Sequence, residues 1–243
     1  MGKFFDLDSP VMRFLTRLAD LMILNIATLV CCLPVFTIGP ALTAASYVAL
    51  KIKRREESYI LRDFWKSFKM NFKQSTIIWL ILMVLLLVFV GDIVILFYIP
   101  EVKIHIVIQI IVVMAGILVI TELMWVFGVL AKFDNSIKNT MKNALLLGIS
   151  HPIKTILIAL ATAIMFFIFL NLPHLFPILL LFGFSFPVYF GAGRLNKVFQ
   201  KLEDEYTEII EELIAEEQEE KLMDDKFLAA LEKGEDGQNA QKK

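Results

Sequence analysis

Four long apolar runs constrain the fold of this chain more than any other feature of its sequence. Residues 77–99 carry a single charge, Asp92, and similar runs follow at 104–131, 152–171 and 174–193. A helix of about 20 apolar residues crosses the roughly 30 Å hydrocarbon core of a bilayer. In a soluble protein such runs would be buried helices. Soluble domains are about 45–50% apolar, however, whereas this chain is 58% hydrophobic. The sequence therefore predicts an all-α, polytopic helical membrane protein.

An earlier apolar segment, residues 18–50, is interrupted near its middle. As one helix it would be roughly 50 Å long, which is too long for a simple crossing. Pro34 and Pro40 lack the amide hydrogen that an interior helical turn requires, and Gly39 tolerates a positive φ. We expect a hairpin broken at 33–40, with its second helix starting at Pro40. The alternative is one crossing followed by a helix along the membrane surface.

Basic residues are distributed unevenly among the predicted loops. Residues 51–76 contain eight of them and residues 131–155 contain four, whereas the connections 100–103 and 171–174 contain only Lys103. Cytoplasmic loops are enriched in Lys and Arg, and the hairpin model places 23 of the 24 basic residues in the cytoplasm. We therefore expect six membrane segments with both termini cytoplasmic. The single-crossing model gives five.

The chain is expected to divide into a helical membrane domain, residues 1–200, and an acidic extension, residues 201–243. The extension has 15 acidic and 6 basic residues, and its apolar residues recur at helical spacing. We expect a cytosolic helix that continues from the last span. The segments of the membrane domain are predicted at about 18–33, 40–50, 77–99, 104–131, 152–171 and 174–193.

Residues 60–73, in the first basic loop, have the pattern of an amphipathic helix. Their apolar face contains three phenylalanines and Trp65, and basic side chains lie beside it. Helices of this kind lie in the headgroup region of an anionic leaflet, and the alternative is a docking helix for a cytosolic partner. The candidate surface or docking residues of the two basic loops are Arg62, Phe64, Trp65, Lys66, Lys69, Lys73, Lys138 and Lys142.

Five charged side chains fall within or at the ends of the predicted spans. A charge in hydrocarbon is costly and usually faces a partner or a pathway. Asp92 is expected in the outer third of its span, whereas the other four share an inner level. A structural ion-pair cluster of Arg17, Asp20, Glu122 and Arg194 is therefore predicted. A solute or proton pathway and snorkelling to the interface are the alternatives.

The chain lacks the motifs of the common catalytic and cofactor-binding sites. It has no phosphate-binding loop, no Cys/His spacing for a metal and no nucleophile elbow. The adjacent Cys31 and Cys32 are interpreted as packing residues. We therefore predict no catalytic, metal-binding or cofactor-binding residues, no enzyme activity and no nucleic-acid partner. The predicted surroundings are a lipid bilayer with an anionic inner leaflet.

Residues 4–80 resemble the YesL family of bacterial membrane proteins, whose function is unknown. The resemblance lies in "FFDLDSPVMRFLTRLADLMILN", "CCLPVFTIGPALTAASYVALK" and "EESYILRDFWKSFKMNFKQSTIIW". The later stretches "FDNSIKNTMKNALLLG" and "GAGRLNKVF" are similar to looser blocks of the family. The resemblance implies a plasma-membrane protein of Gram-positive bacteria, whose gene often lies beside carbohydrate-uptake ABC transporters and two-component regulators. It supplies no catalytic residues, and it does not extend to the acidic tail.

Together these features favour a non-catalytic membrane protein that acts as an accessory or assembly component of carbohydrate uptake. Its expected partners are ABC transporter subunits or membrane regulators. The alternative is a transporter of small solutes in its own right, and the broken helices and buried acids support this alternative.

Overall fold

The computed structural model describes residues 10–56, 59–98 and 105–240, which are helical with no strand among them. Within the described ranges the chain forms eight α-helices. Five of them, the first four and α6, are long and apolar enough to cross a membrane, and the bent pair α7–α8 would supply a sixth span. The prediction of an all-α, multi-pass membrane protein is confirmed. The helices are α1 (Pro10–Cys32), α2 (Ile38–Arg54), α3 (Ile60–Tyr98), α4 (Ile106–Lys132), α5 (Ile137–Ser150), α6 (Pro152–Asn171), α7 (Phe176–Phe182) and α8 (Ser185–Ala240).

The predicted break in the first apolar segment is confirmed. The helix α1 ends at Cys32, a short 3-10 turn occupies Val35–Thr37, and α2 begins at Ile38. The Thr37 hydroxyl donates a hydrogen bond to the carbonyl oxygen of Pro34 at 2.6 Å and so gives this backbone acceptor a partner at the turn. Pro40 is the third residue of α2, not its first. It is tolerated there because amides of the first helical turn have no intrahelical partner.

The helix α2 packs antiparallel along the first half of α3. At one end of the pair Gly39 abuts Ser75 and Trp79. At the other end, Lys51 Nζ lies 2.9 Å from Asp63 Oδ2 in an ion pair. Between these points α2 presents a fully buried face of small residues, Ala41, Ala44, Ala45 and Val48, which packs with Leu24 of α1 and with Phe64. Small side chains let helices approach closely in membrane proteins.

The predicted amphipathic helix at 60–73 does not exist as a separate element. It is the first part of α3, a single helix of 39 residues that is about 58 Å long. No proline or glycine occurs between Ile60 and Val90, and a change from basic to apolar residues does not by itself end a helix. The later basic loop differs, because residues 133–136 are not helical and Ser136 caps a new helix, α5, by accepting a hydrogen bond from the Asn139 amide at 3.4 Å.

The predicted last span, 174–193, is also corrected, because it is divided between α7 and α8. The chain separates into two compact units, Met1–Asn196 and Lys197–Lys243. In the second unit α8 continues as far as Ala240, so the predicted helical extension is confirmed within the described residues. Its exposed surface carries ion pairs one turn apart, such as Lys221 with Glu217 at 2.8 Å.

Candidate functional site: an apolar cavity beside a broken helix

A break separates α7 from α8 beside the helix α1. The two helices are bent by about 40° around residues 183 and 184. At such a break backbone N–H and C=O groups lose their helical partners, which is costly in a membrane because no water replaces them. Discontinuous helices of this kind occur where transport proteins bind their ligands.

The side chain of Asn25, on α1, supplies the missing partners. Its Nδ2 donates to the carbonyl oxygen of Leu180 at 2.7 Å, and its Oδ1 accepts from the amides of Phe184 and Ser185, each at 2.8 Å. Asn25 is fully buried, with 0% of its surface exposed. The amide thus bridges the last turn of α7 and the start of α8. Nothing in the sequence pairs Asn25 with residues some 155 positions away, so this role was not predicted.

An apolar cavity of about 680 Å³ lies next to the break. It is lined by α1, α2, α4, α6, α7 and the beginning of α8, with Trp79 of α3 at its wall, and Gly183 and Phe184 line it directly. The lining side chains that carry polar atoms are Ser46, Trp79 and Thr162. Two of these are already satisfied, because Trp79 Nε1 donates to the carbonyl of Val35 at 2.8 Å and the Thr162 hydroxyl to that of Ile158 at 2.9 Å.

The lining residues differ in exposure from one side of the cavity to the other. On α6 and α7, Phe166, Phe169 and Phe176 line the cavity and are each at least half exposed, at 63%, 50% and 52%. On the opposite side Leu50 and Leu195 are buried. The cavity therefore opens between α6 and α7 and closes at the ends of α2 and the first turns of α8.

The predicted ion-pair cluster is not observed. Glu122 is 5% exposed, and within the described part of the chain neither of its carboxylate oxygens has a hydrogen-bond partner. The Arg194 guanidinium instead stacks 3.3 Å over the ring of Phe190. Arg17 and Asp20 line a separate cleft of about 610 Å³ with Arg13 and Arg55. The four residues of the predicted cluster were expected at a similar depth in the membrane, but their side chains do not all face one another. The fifth charged residue, Asp92, lies half-buried on α3.

A Glu122→Gln variant is expected to be as thermally stable as the wild type or more stable. An ionised carboxylate without partners is costly to bury, and glutamine keeps its shape without the charge. The comparison variant is Asp63→Asn, which breaks the half-buried pair with Lys51 and should lower the free energy of unfolding by about 1–2 kcal/mol. Midpoints of thermal unfolding in detergent measure both. A Glu122→Gln protein that is less stable than Asp63→Asn would show that Glu122 has an ionic partner.

The predicted surface and docking residues divide into two groups. Phe64 is fully buried and stacks on Phe68 with ring centroids 6.1 Å apart, so its assignment to the surface was wrong. The others are exposed on α3 and α5, namely Arg62, Trp65, Lys66, Lys69, Lys73, Lys138 and Lys142.

Two basic residues at the end of α2 have a structural role that the loop charges did not indicate. Lys53 Nζ lies 3.5 Å from the ring centroid of Tyr189, and Arg54 Nε donates to Asn196 Oδ1 at 3.1 Å. Gly193 makes room for the first contact, because a Cβ there would lie 3.1 Å from Lys53 Cε. These contacts fix the end of α2 against α8, and cation–π contacts of this kind are worth about 0.5–2 kcal/mol.

Comparison with known proteins gives a family match but no described activity. A model of the family described as "Protein of unknown function, DUF624" matches residues 21–93. This region contains most of α1, all of α2 and most of α3, and therefore the hairpin with its contacts to Ser75, Trp79 and Asp63. Neither the curated proteins nor the solved structures include a match to the chain. Over residues 21–93 the chain is thus similar to a family of unknown function.

Proposed function

We propose that this protein is a non-catalytic accessory or assembly component of a bacterial ABC-type carbohydrate-uptake system. It would be a YesL-like protein of the plasma membrane, with both termini in the cytoplasm and its basic helix surfaces facing the anionic inner leaflet and a transporter subunit. A reporter that fluoresces only in the cytoplasm, fused after Lys3 or after Lys243, should be bright at both positions. A dark N-terminal fusion would contradict the proposed orientation.

The observation that carries the proposal is a row of cations on α3 that form no ion pair among the described residues. Arg62, Lys66, Lys69 and Lys73 are exposed, and none of them forms an ion pair with another described residue. Trp65 and Met70 on the same stretch are also exposed. Aromatic residues and methionine are enriched at protein interfaces, and unpaired cations complement an acidic partner surface.

The cavity supports the accessory role over transport of a sugar. A sugar ligand presents many hydroxyl groups, and burying each without a hydrogen bond costs free energy. The cavity offers a polar lining of only Ser46, Trp79 and Thr162 among its described residues, and two of these groups already have partners. The alternative role as a small-solute transporter would therefore require a different site or a less polar solute.

Purification of the tagged protein from its host in mild detergent tests the proposal. The wild type should carry an ABC permease or ATPase subunit in stoichiometric amount. Replacing Lys66, Lys69 and Lys73 with glutamine should reduce the recovered subunit by about tenfold, since three exposed charge contacts of roughly 0.5 kcal/mol each sum to about 1.5 kcal/mol. Replacing the same residues with arginine keeps the charge and should retain the partner.

Two outcomes would count against the accessory role. A wild-type protein that purifies alone and binds or moves a solute would support the transporter. A subunit recovered equally with the glutamine and arginine variants would show that the cations of α3 do not dock it.

A further inference from the structure

We propose that the cavity is a binding site for one acyl chain of a phospholipid from the surrounding bilayer, which enters between α6 and α7. This inference does not depend on the proposed accessory role. It rests on the chemistry of the lining, the volume of the cavity and the position of its opening.

The lining selects an apolar ligand. Leucine, isoleucine, phenylalanine and methionine side chains from six helices form most of the wall. Among the described polar side chains that line the cavity, the Ser46 hydroxyl is the one that forms no hydrogen bond. A ligand with several polar groups would therefore lose its hydrogen bonds to water without replacing them.

The volume of the cavity indicates that it holds an occupant. Native interiors are close-packed, and voids larger than a water molecule are few because their walls lose dispersion contacts. Water is a poor filler at this site, since a buried water makes two to four hydrogen bonds, and among the described lining side chains only the Ser46 hydroxyl is without one. An apolar occupant would restore the dispersion contacts that the walls of an empty cavity of about 680 Å³ would lack.

The opening identifies the source of that occupant. Phe166 and Phe169 lie on α6, one of the helices that can cross the membrane, and Phe176 lies on α7 of the bent pair. All three keep half or more of their surface exposed while they line the cavity. In a membrane this exposed surface meets the hydrocarbon of the bilayer, so the cavity is continuous with acyl chains.

The shape of the opening favours a slender chain over a helix of a second protein. The rings of Phe169 and Phe176, near the connection between α6 and α7, are in contact, with centroids 6.4 Å apart. This contact narrows the space between the two helices, and an α-helix with its side chains, about 10–12 Å wide, would not fit there. One acyl chain, which bends freely, can reach the closed end at Leu50 and Leu195.

Native mass spectrometry of the protein released from mild detergent tests this site. The wild type should retain one phospholipid per chain. The variants Ser46→Phe and Thr162→Phe place a ring in the cavity from walls on α2 and α6, and each should retain about tenfold less, which corresponds to about 1.4 kcal/mol. Val30→Phe enlarges an exposed position of α1 and serves as the matched control, with retention like that of the wild type.

A stability measurement provides a second readout. A ligand that binds only the folded state raises the unfolding midpoint, so added phospholipid should raise the midpoint of the wild type and of Val30→Phe but not of the filled variants. Equal phospholipid retention in the filled variants would overturn the proposal. An occupant without an acyl chain, or a second copy of the protein in the cavity, would also overturn it. Unfolding of both filled variants would do the same, since it would mean that the space is not there.

Discussion

An Asn25→Leu variant is expected to lose about 3 kcal/mol or more of unfolding free energy. Leucine fills a similar volume, but it leaves the carbonyl of Leu180 and the amides of Phe184 and Ser185 without the partners that Asn25 provides. Each buried backbone group left unsatisfied costs about 1–3 kcal/mol. The midpoint of thermal unfolding in detergent, followed by intrinsic fluorescence, measures the loss.

The matched control for this variant is Asn171→Leu. The Asn171 side chain is exposed at the end of α6 and donates only to the carbonyl of Phe167, one turn earlier in the same helix. Its replacement should change the free energy of unfolding by less than about 0.5 kcal/mol. If Asn25→Leu and Asn171→Leu unfold at the same midpoint, then the break between α7 and α8 does not depend on Asn25.

A Gly39→Ala variant should separate α2 from α3. A Cβ at this position would lie 2.5 Å from the carbonyl oxygen of Ser75 and 2.6 Å from Cβ of Trp79. Neither atom can rotate away, because both are fixed by the backbone of α3, so the helices themselves have to move. Overpacking of this kind costs about 1–3 kcal/mol, and the displacement should also lengthen the Lys51–Asp63 ion pair.

The same substitution at Gly91 is the control, since both glycines lie in apolar helices. Beyond the neighbouring backbone of α3, no described atom lies within 4 Å of a Cβ at Gly91, and alanine favours a helix over glycine by about 1 kcal/mol. Gly91→Ala should therefore be as stable as the wild type or more stable, as judged by the same unfolding midpoints. Equal destabilisation by the two variants would mean that the contact of Gly39 with α3 is not tight in the membrane.

Gly39 also shows how a correct prediction can rest on the wrong property of a residue. The break at 33–40 is present, but none of the described glycines has a positive φ. What Gly39 supplies is the absence of a side chain where two helices touch. That contact depends on residues 36 and more positions away in the chain, and a single sequence carries no signal for it.

The basic residues show a similar limit. Their concentration between the apolar runs predicted an exposed cationic surface, and six of the twelve in the two basic loops are exposed on α3 and α5. Charge pattern did not reveal that α3 continues unbroken from Ile60 to Tyr98, because Lys and Arg are good helix formers. It also did not distinguish Lys53 and Arg54, which hold α2 against α8, from the cations of α3 that form no ion pair with another described residue.

The sequence by itself determined that this is an all-helical, multi-pass membrane protein with an early break, because apolar run length, proline and charge act locally along the chain. Only the tertiary structure decided which faces of those helices meet. It placed Asn25 at the break between α7 and α8, left Glu122 and Arg194 apart, and buried Phe64. These outcomes depend on the rotation and register of whole helices. Successive residues of an α-helix are about 100° apart around its axis, so a shift of one position is enough to turn a side chain from a partner helix to the lipid.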